Sequence, residues 1–485
     1  MPDSANPHAP ARTGSRQILK NVVLQALPSS LASVSQQLTY FITITFVAAL
    51  KDEDELAACG VGTMLSNVFG LSIGVGLTSG LDTLISQSFG AGDHMMSGLY
   101  FQRSIVVSTL ACVPVSIFLY FVTPILILLG QDAKVAALAG DLVHGTLLSM
   151  WALFVSNAFM AFVRSQRLPN IPLCVSLVSN IFHIAPSYFF IVHSHMGNFG
   201  AGLAISMTNW FALVMISAYV YSVRPGPTKY SLVRWSWSKA TTNLRSFLAV
   251  SLPMAFAIWA EWWCAEFMTL LAGLISPTAL AAHTALLSIF SILYSLCNGV
   301  QSAACTLVGN AVGAEDFDTA RRSAKLSFAV MASTLVFADT LTLILTQPLV
   351  SLLSGTISVK EQMISTLPVM LVMMSLDSMQ TTCDGVMRGL TKQVLQFRIK
   401  MSTMWLIRMP AALLSVFAIH AGIRGLWWSS TMGMAGSAST YLVLFLRLNW
   451  QEEVKRASSE KRQRDSLETS FEVSGGTSMQ NSQQC

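Results

Sequence analysis

Long apolar runs alternate with short polar interruptions along almost the whole chain. Twelve segments can be delimited, Val22–Leu50, Ala57–Phe89, Ile105–Gly130, Val135–Val163, Ile171–His193, Gly200–Val223, Phe247–Ile275, Leu280–Val312, Ala324–Leu353, Met363–Val386, Ile399–Ile419 and Gly425–Leu446. Each reaches or exceeds the roughly 20 residues that a helix needs to cross a bilayer. The pattern therefore predicts an all-α polytopic membrane protein with twelve spans.

The same landmarks return at a constant spacing. Gly90-Ala91 recurs as Gly313-Ala314, Arg164 as Arg388, Pro186 as Pro410 and Gly202-Leu203 as Gly425-Leu426, always 223 or 224 residues on. Such a repeat predicts two six-helix lobes, and an even number of spans per half relates them by a pseudo-two-fold axis along the membrane normal. The expected organisation is an amino-terminal tail at 1–19, lobes at 20–223 and 246–447, a polar linker at 224–245 with Pro225 and Pro227, and a disordered tail at 448–485. The Lys51–Glu55 run, KDEDE, is expected to be a solvated loop.

Charge then orients the chain. With the amino end of the first segment on the inside, 24 of the 29 Lys and Arg residues fall inside, Lys400 among them, and only Lys51, Lys134, Lys360 and Arg424 fall outside. The positive-inside rule places both termini in the cytoplasm. Composition agrees with a membrane protein, at 53% hydrophobic and 11% charged residues. The eight cysteines are scattered singly, which argues against a zinc site or a disulfide framework. No metal, cofactor or nucleic-acid partner is expected, and the chain is expected to act as a monomer.

Ionisable residues inside the spans are the candidates for chemistry, because a charge at membrane depth must face a cavity, be paired or be neutralised. Glu261 lies near the middle of the seventh segment, within IWAEWWCAEF, beside Trp259, Trp262 and Trp263. Glu266 is five residues on and rotated by roughly 140°, too far round to share one narrow site with Glu261. In the tenth segment Asp377 is central, whereas Asp384 is followed four residues later by Arg388, a spacing that predicts a local ion pair. Aligning Pro28 with Pro253 sets Gln36 opposite Glu261, so the first lobe offers Gln36, Gln37 and Tyr40 as neutral polar groups and no carboxylate. Arg408 stands two residues before Pro410 inside the eleventh segment; it snorkels, or the helix begins late, or it pairs with a cavity carboxylate such as Asp377. Glu261 and Asp377 could titrate together, so that a proton and a cation compete for one site.

At these residues the sequence resembles the eukaryotic branch of the multidrug and toxic compound extrusion (MATE) family. The matching stretches are Ser79–Ala91, SGLDTLISQSFGA; Ala260–Glu266, AEWWCAE; and Leu376–Gly389, LDSMQTTCDGVMRG. The resemblance covers about residues 20–447 and implies a V-shaped transporter that exports organic cations, drugs included, in exchange for protons. It implies coupling roles for Glu261 and Asp377, matches Glu266 to a further acidic position, and gives Asp82 a gating or packing role. The first segment lacks the aspartate that part of the prokaryotic branch uses, and the resemblance assigns no role to Arg408.

The expected function is thus a proton-coupled antiporter of amphiphilic organic cations in the plasma membrane or an acidic-organelle membrane. A flippase or an organic-anion or zwitterion exporter on the same scaffold, favoured by Arg408, and sodium-coupled exchange are the alternatives. A membrane-embedded enzyme would need a nucleophile, base and metal set, and the isolated His144, His183 and His283 do not supply one.

Overall fold

The computed structural model describes residues 14–128 and 130–481. Arg12 and Cys485 lie outside the described residues, as does most of the amino-terminal tail. The first lobe comprises α1 (Ser15–Ala48), α2 (Glu53–Gly90), α3 (His94–Tyr120), α4 (Ala133–Leu147 and Met150–Ser165, bent by 55°), α5 (Asn170–His193) and α6 (Gly197–Val223). The second comprises α7 (Leu244–Ile275), α8 (Pro277–Gly313), α9 (Phe317–Ile344), α10 (Ile357–Gly389), α11 (Gln393–Ala418) and α12 (Gly422–Arg447). A last helix, α13, spans Trp450–Asn481, and no strand occurs among the described residues.

Ten of these helices are long and apolar enough to cross a membrane as they stand, and the bent α4 makes an eleventh. The twelfth, α12, has 26 residues and carries Gly and Ser in its middle, and it is not among those apolar enough to count by the same measure. Twelve spans in two six-helix lobes is the architecture predicted from the apolar runs.

The repeat is visible in local chemistry. Asp93 caps α3 by accepting from Met96 N at 2.9 Å, and Asp316 caps α9 by accepting from Thr319 N at 2.9 Å. Ahead of each cap the chain passes through one left-handed residue, Gly92 at φ 74° and Glu315 at φ 57°, which reverses it between helices. The second half tolerates a glutamate where the first has glycine, at the strain such a φ implies for a residue with a Cβ.

The lobes close on each other at the face bearing most of the Lys and Arg residues, the basic face. Two small-residue contacts seal it, each the mirror of the other. A Cβ on Gly90 would lie 2.0 Å from Asn310 O, and a Cβ on Gly313 would lie 2.0 Å from Gln87 O. Higher up, Gly76 abuts Ala255 of α7, and its counterpart Gly299 abuts Ser30 of α1. Glycine is required at these positions because two backbones meet there. Hydrogen bonds from Gln87 Nε2 to Gly389 O (2.9 Å) and Thr391 Oγ1 (2.6 Å), and from Gln393 Nε2 to Thr83 Oγ1 (3.1 Å), complete the seam.

Two polar segments depart from expectation. The Lys51–Glu55 run is not a free loop: Asp52 caps α2 by accepting from Asp54 N and Glu55 N, and Glu55 accepts from Asn198 N at 3.0 Å. The carboxyl-terminal segment, expected to be disordered, begins as a docked helix. Trp450, Val454 and Ala457 form an apolar stripe buried against α8, α9 and α10. Ser458 Oγ donates to Val312 O, Arg456 to Leu390 O and Glu453 pairs with Lys392, while Arg464 Nη2 crosses to Gln87 Oε1 at 3.1 Å. Overall polarity concealed this stripe, because its apolar positions are few and widely spaced.

Candidate functional site

A cavity of about 710 Å³ lies between the lobes above the sealed seam. The first lobe contributes a neutral polar wall. Thr39 donates to Asn180 Oδ1 at 2.6 Å, Asn180 donates to Ser35 O at 2.6 Å, and His183 lies within 2.9 Å of Thr43 and 2.7 Å of Thr208. Gln36 and Tyr40 line this side. The imidazole of His183 is thereby accounted for as a packing and hydrogen-bonding residue.

The second lobe brings most of the charges. Helix α7 presents Ile258, Glu261, Trp262, Ala265, Glu266 and Met268 to the cavity. At about 100° per residue these positions span an arc of some 160°. Both Glu261 and Glu266 therefore line one broad cavity, against the expectation that the rotation between them would separate them. Trp259 and Trp263 fall beyond the arc and do not line it. Trp259 meets Phe256 edge-on at 5.8 Å, and Trp263 meets Phe69 of the first lobe at 5.1 Å. Of the three tryptophans, only Trp262 is a cavity residue.

The partner of Glu261 is Lys400. Its Nζ lies 2.5 Å from Glu261 Oε2 and 2.9 Å from Asp384 Oδ2, and the residue is only 2% exposed. Tyr441 donates to Asp384 Oδ1 at 2.6 Å. The expected Asp384–Arg388 pair is absent among the described residues: α11 begins at Gln393, ahead of its apolar run, and brings Lys400 against Asp384 from a neighbouring helix. Lys400, at the start of the eleventh apolar segment and counted with the inside charges, has no partner predicted from the sequence. Its signal in the sequence was weak, since a lysine at the polar edge of an apolar run ordinarily marks the membrane boundary.

Asp377 is 1% exposed, does not line the cavity, and has neither carboxyl oxygen in a hydrogen bond. It lies within electrostatic reach of Glu261, Lys400, Asp384 and Arg408. A buried carboxyl with no donor is tolerated when it is neutral, and is costly when charged. Gln380, one turn away, is also unpartnered at both polar atoms.

Arg408 does not pair with Asp377. It is 7% exposed and lines the cavity, with Nε donating to Ser430 Oγ at 3.1 Å and Nη1 3.8 Å from Met404 Sδ. A close approach of α12 fixes it, since a Cβ on Gly433 would lie 2.6 Å from Arg408 Cβ. At the basic end of the cavity, Arg164 Nη2 donates to both oxygens of Asp82 at 2.9 and 2.8 Å, with Ser165 Oγ at 3.1 Å. Arg388 lines the same end and leaves Nε without an acceptor.

Two lobes that meet at one face, enclose a polar cavity and carry a buried charge cluster in one half form the architecture of a membrane transporter. The MatE family model matches the chain twice, at residues 28–189 and 253–414, once in each lobe. The chain belongs to the MatE family. It is 27% identical over 445 residues to Multidrug and toxin extrusion protein 1 of Mus musculus, covering 90% of this chain and 77% of that protein. It is 28% identical over 437 residues to Protein DETOXIFICATION 16 of Arabidopsis thaliana, covering 89% and 88%. Its fold is that of the eukaryotic MATE transporter AtDTX14, with a TM-score of 0.87 at 24% identity over 93% of this chain and 100% of that one.

Proposed function

We propose that this transporter exports amphiphilic organic solutes with cationic character in exchange for protons, with the carboxylates of the second lobe as the exchange site. The observation that carries the reading is the cluster in which Lys400 bridges Glu261 and Asp384 while Asp377 stands buried beside them without a donor. Such a cluster has two arrangements. With Glu261 ionised, Lys400 is held and the carboxylate is spent on it. When a proton neutralises Glu261, the pair loses its attraction, and Lys400 is left to Asp384 or Asp377. A change in the lobe's internal pairing is the kind of two-state element that can tip a seam open or shut. A gradient of one pH unit supplies about 1.4 kcal/mol per proton, enough to bias such an equilibrium tenfold.

The names of the relatives, multidrug and toxin extrusion and detoxification, support a foreign-solute substrate. The distribution of Lys and Arg supports a cytoplasmic basic face, and hence a cavity facing the opposite side in this conformation. A plasma-membrane or acidic-organelle location, and action as a monomer, fit the same reading.

The test is pH-gradient-driven movement in vesicles of dyes that carry a cationic group, with and without a free carboxylate. Glu261→Gln should abolish it while the protein still reaches the membrane, and Asp377→Asn should weaken it severely. Undiminished transport by Glu261→Gln overturns the assignment. Replacing sodium at fixed pH should leave the wild-type rate unchanged; a sodium requirement overturns the choice of proton.

A further inference from the structure

The charges around the cavity do not make a cage for cations alone. Three carboxylates line it, Asp82, Glu261 and Glu266, against four cationic side chains, Arg164, Arg388, Lys400 and Arg408. Asp82 is bound to Arg164 and Glu261 to Lys400. Arg408 is different. Among the described residues no carboxylate lies within ion-pair distance of its guanidinium, and the two neighbours it has are a hydroxyl and a thioether. Asp377 offsets its charge only at longer range.

An arginine more than nine-tenths buried would ordinarily be paired, because its five N–H groups demand acceptors that a hydroxyl and a sulfur cannot supply. Two ring nitrogens beside it also lack partners. Trp427 lies one turn from Ser430 on α12 and its Nε1 makes no hydrogen bond; His283, whose ring lies 5.5 Å from that of Trp427, has no partner at Nδ1. Phe290 adds an aromatic surface against Trp427. All of these residues line the cavity.

Register fixes where this site lies relative to the carboxylates. Cys264 of α7 is level with Met404 of α11, through a 3.7 Å contact from Sγ to the carbonyl, and Glu261 is level with Lys400. Arg408, eight residues beyond Lys400, is therefore displaced by about 12 Å from the Glu261 pair, away from the basic face. The cavity thus has an acidic position deep in the lobe at Glu261, a second carboxylate at Glu266 about 7.5 Å further along α7, and, further from the basic face, a guanidinium with no carboxylate partner.

We infer that Arg408, with Ser430, Trp427 and His283 around it, is an anion subsite for a carboxylate carried by the transported solute. Substrates of this protein are then aromatic zwitterions, with the anionic group at Arg408 and the cationic part toward the acidic side. A planar guanidinium is the side chain suited to such a group, since it can bind both carboxylate oxygens at once. This rests on the export function proposed above for its account of substrate, and it adds the requirement for a negative group.

Rhodamine 110 and its methyl ester, rhodamine 123, share one chromophore and differ in whether the carboxyl is free. Equilibrium binding of each to the full chain in lipid nanodiscs, by fluorescence polarisation at one pH with no gradient, reads the subsite independently of proton coupling. Loss of transport in Glu261→Gln and loss of acid recognition in Arg408→Gln are therefore separable results. Wild type should bind the free acid more tightly than the ester. Arg408→Gln should weaken the acid by about tenfold or more while changing the ester less than about twofold, and Arg408→Lys should restore part of the preference. A wild type that prefers the ester, or binds neither dye, overturns the inference. So does equal weakening of both dyes in Arg408→Gln, or an unchanged affinity for the acid. The wild-type preference decides the matter even where the glutamine variant fails to fold.

Discussion

Lys400 and Glu261 stand 139 positions apart in the chain and 2.5 Å apart in the structure, on adjacent helices of one lobe. Their contact turns two residues that are each improbable at membrane depth into a pair that can exist there. Because Lys400 also touches Asp384, removing the lysine strips two carboxylates of their counter-charge at once.

Lys400→Met should therefore destabilise the protein by about 3–5 kcal/mol, the range for breaking a buried pair by removing one partner. Thermal unfolding in detergent would measure it. Adding Glu261→Gln to Lys400→Met should recover part of the loss, since one of the stranded charges is then gone. Strictly additive effects of the two substitutions would count against the pair.

What the sequence made legible, and what it hid, divides along this contact. The two lobes could be read because the residues that repeat, Gly90 and Gly313 above all, are fixed by backbone approach, which admits one residue type. Glu261 could be singled out because a carboxylate in an apolar helix needs a cavity, a partner or a proton, and the structure gives it the first two. Its partner could not, because Lys400 looked like a boundary lysine and only the third dimension brings α11 against α7. Asp384 and Arg388 mislead for the same reason. Spacing along a helix says which side chains can meet, whereas Lys400 and Tyr441 arrive from other helices with better geometry. The tryptophans beside Glu261 show the limit of a local cluster, since the helical turn carries Trp259 and Trp263 off the cavity face.

Gly90→Val and Gly313→Val should each keep the basic face from closing, since even a bare Cβ would lie 2.0 Å from a carbonyl oxygen of the other lobe. Spin labels placed on the basic ends of α2 and α8 should report a longer separation in both variants, with loss of solute exchange. Since the two contacts mirror each other, the two variants should behave alike. Unchanged label distances in either would show that the seam is not the closing contact.

Docking of α13 should depend on acidity at low pH. Burial raises the affinity of Glu453 for a proton, but hydrogen bonds from Lys392 and Arg456 outweigh it and hold the group below the ordinary glutamate value. A depressed value in the folded state means that the stabilisation is complete above the ordinary carboxylate range and is lost as pH falls through the lowered value. Protease cleavage within the tail should be slow and constant near neutrality and accelerate in strongly acidic buffer. Glu453→Gln should show the faster cleavage at neutral pH. A cleavage rate equal to wild type in that variant would exclude the contact as the anchor.

The reciprocal seating of Gly90 and Gly313 makes the seam a joint with no preferred hand: each lobe is both peg and socket. A joint of that kind supplies no direction of its own, so whatever decides when it opens must come from features that the two halves do not share. Those are few. One is the set of acids on α7 and α10: Glu261, Asp377 and Asp384 stand where the repeat gives the first lobe Gln36, Leu153 and Met160. Another is α13, which belongs to the second half yet reaches Gln87 of the first through Arg464. Duplication produced a balanced hinge, and the divergence of one half supplied the weight that swings it.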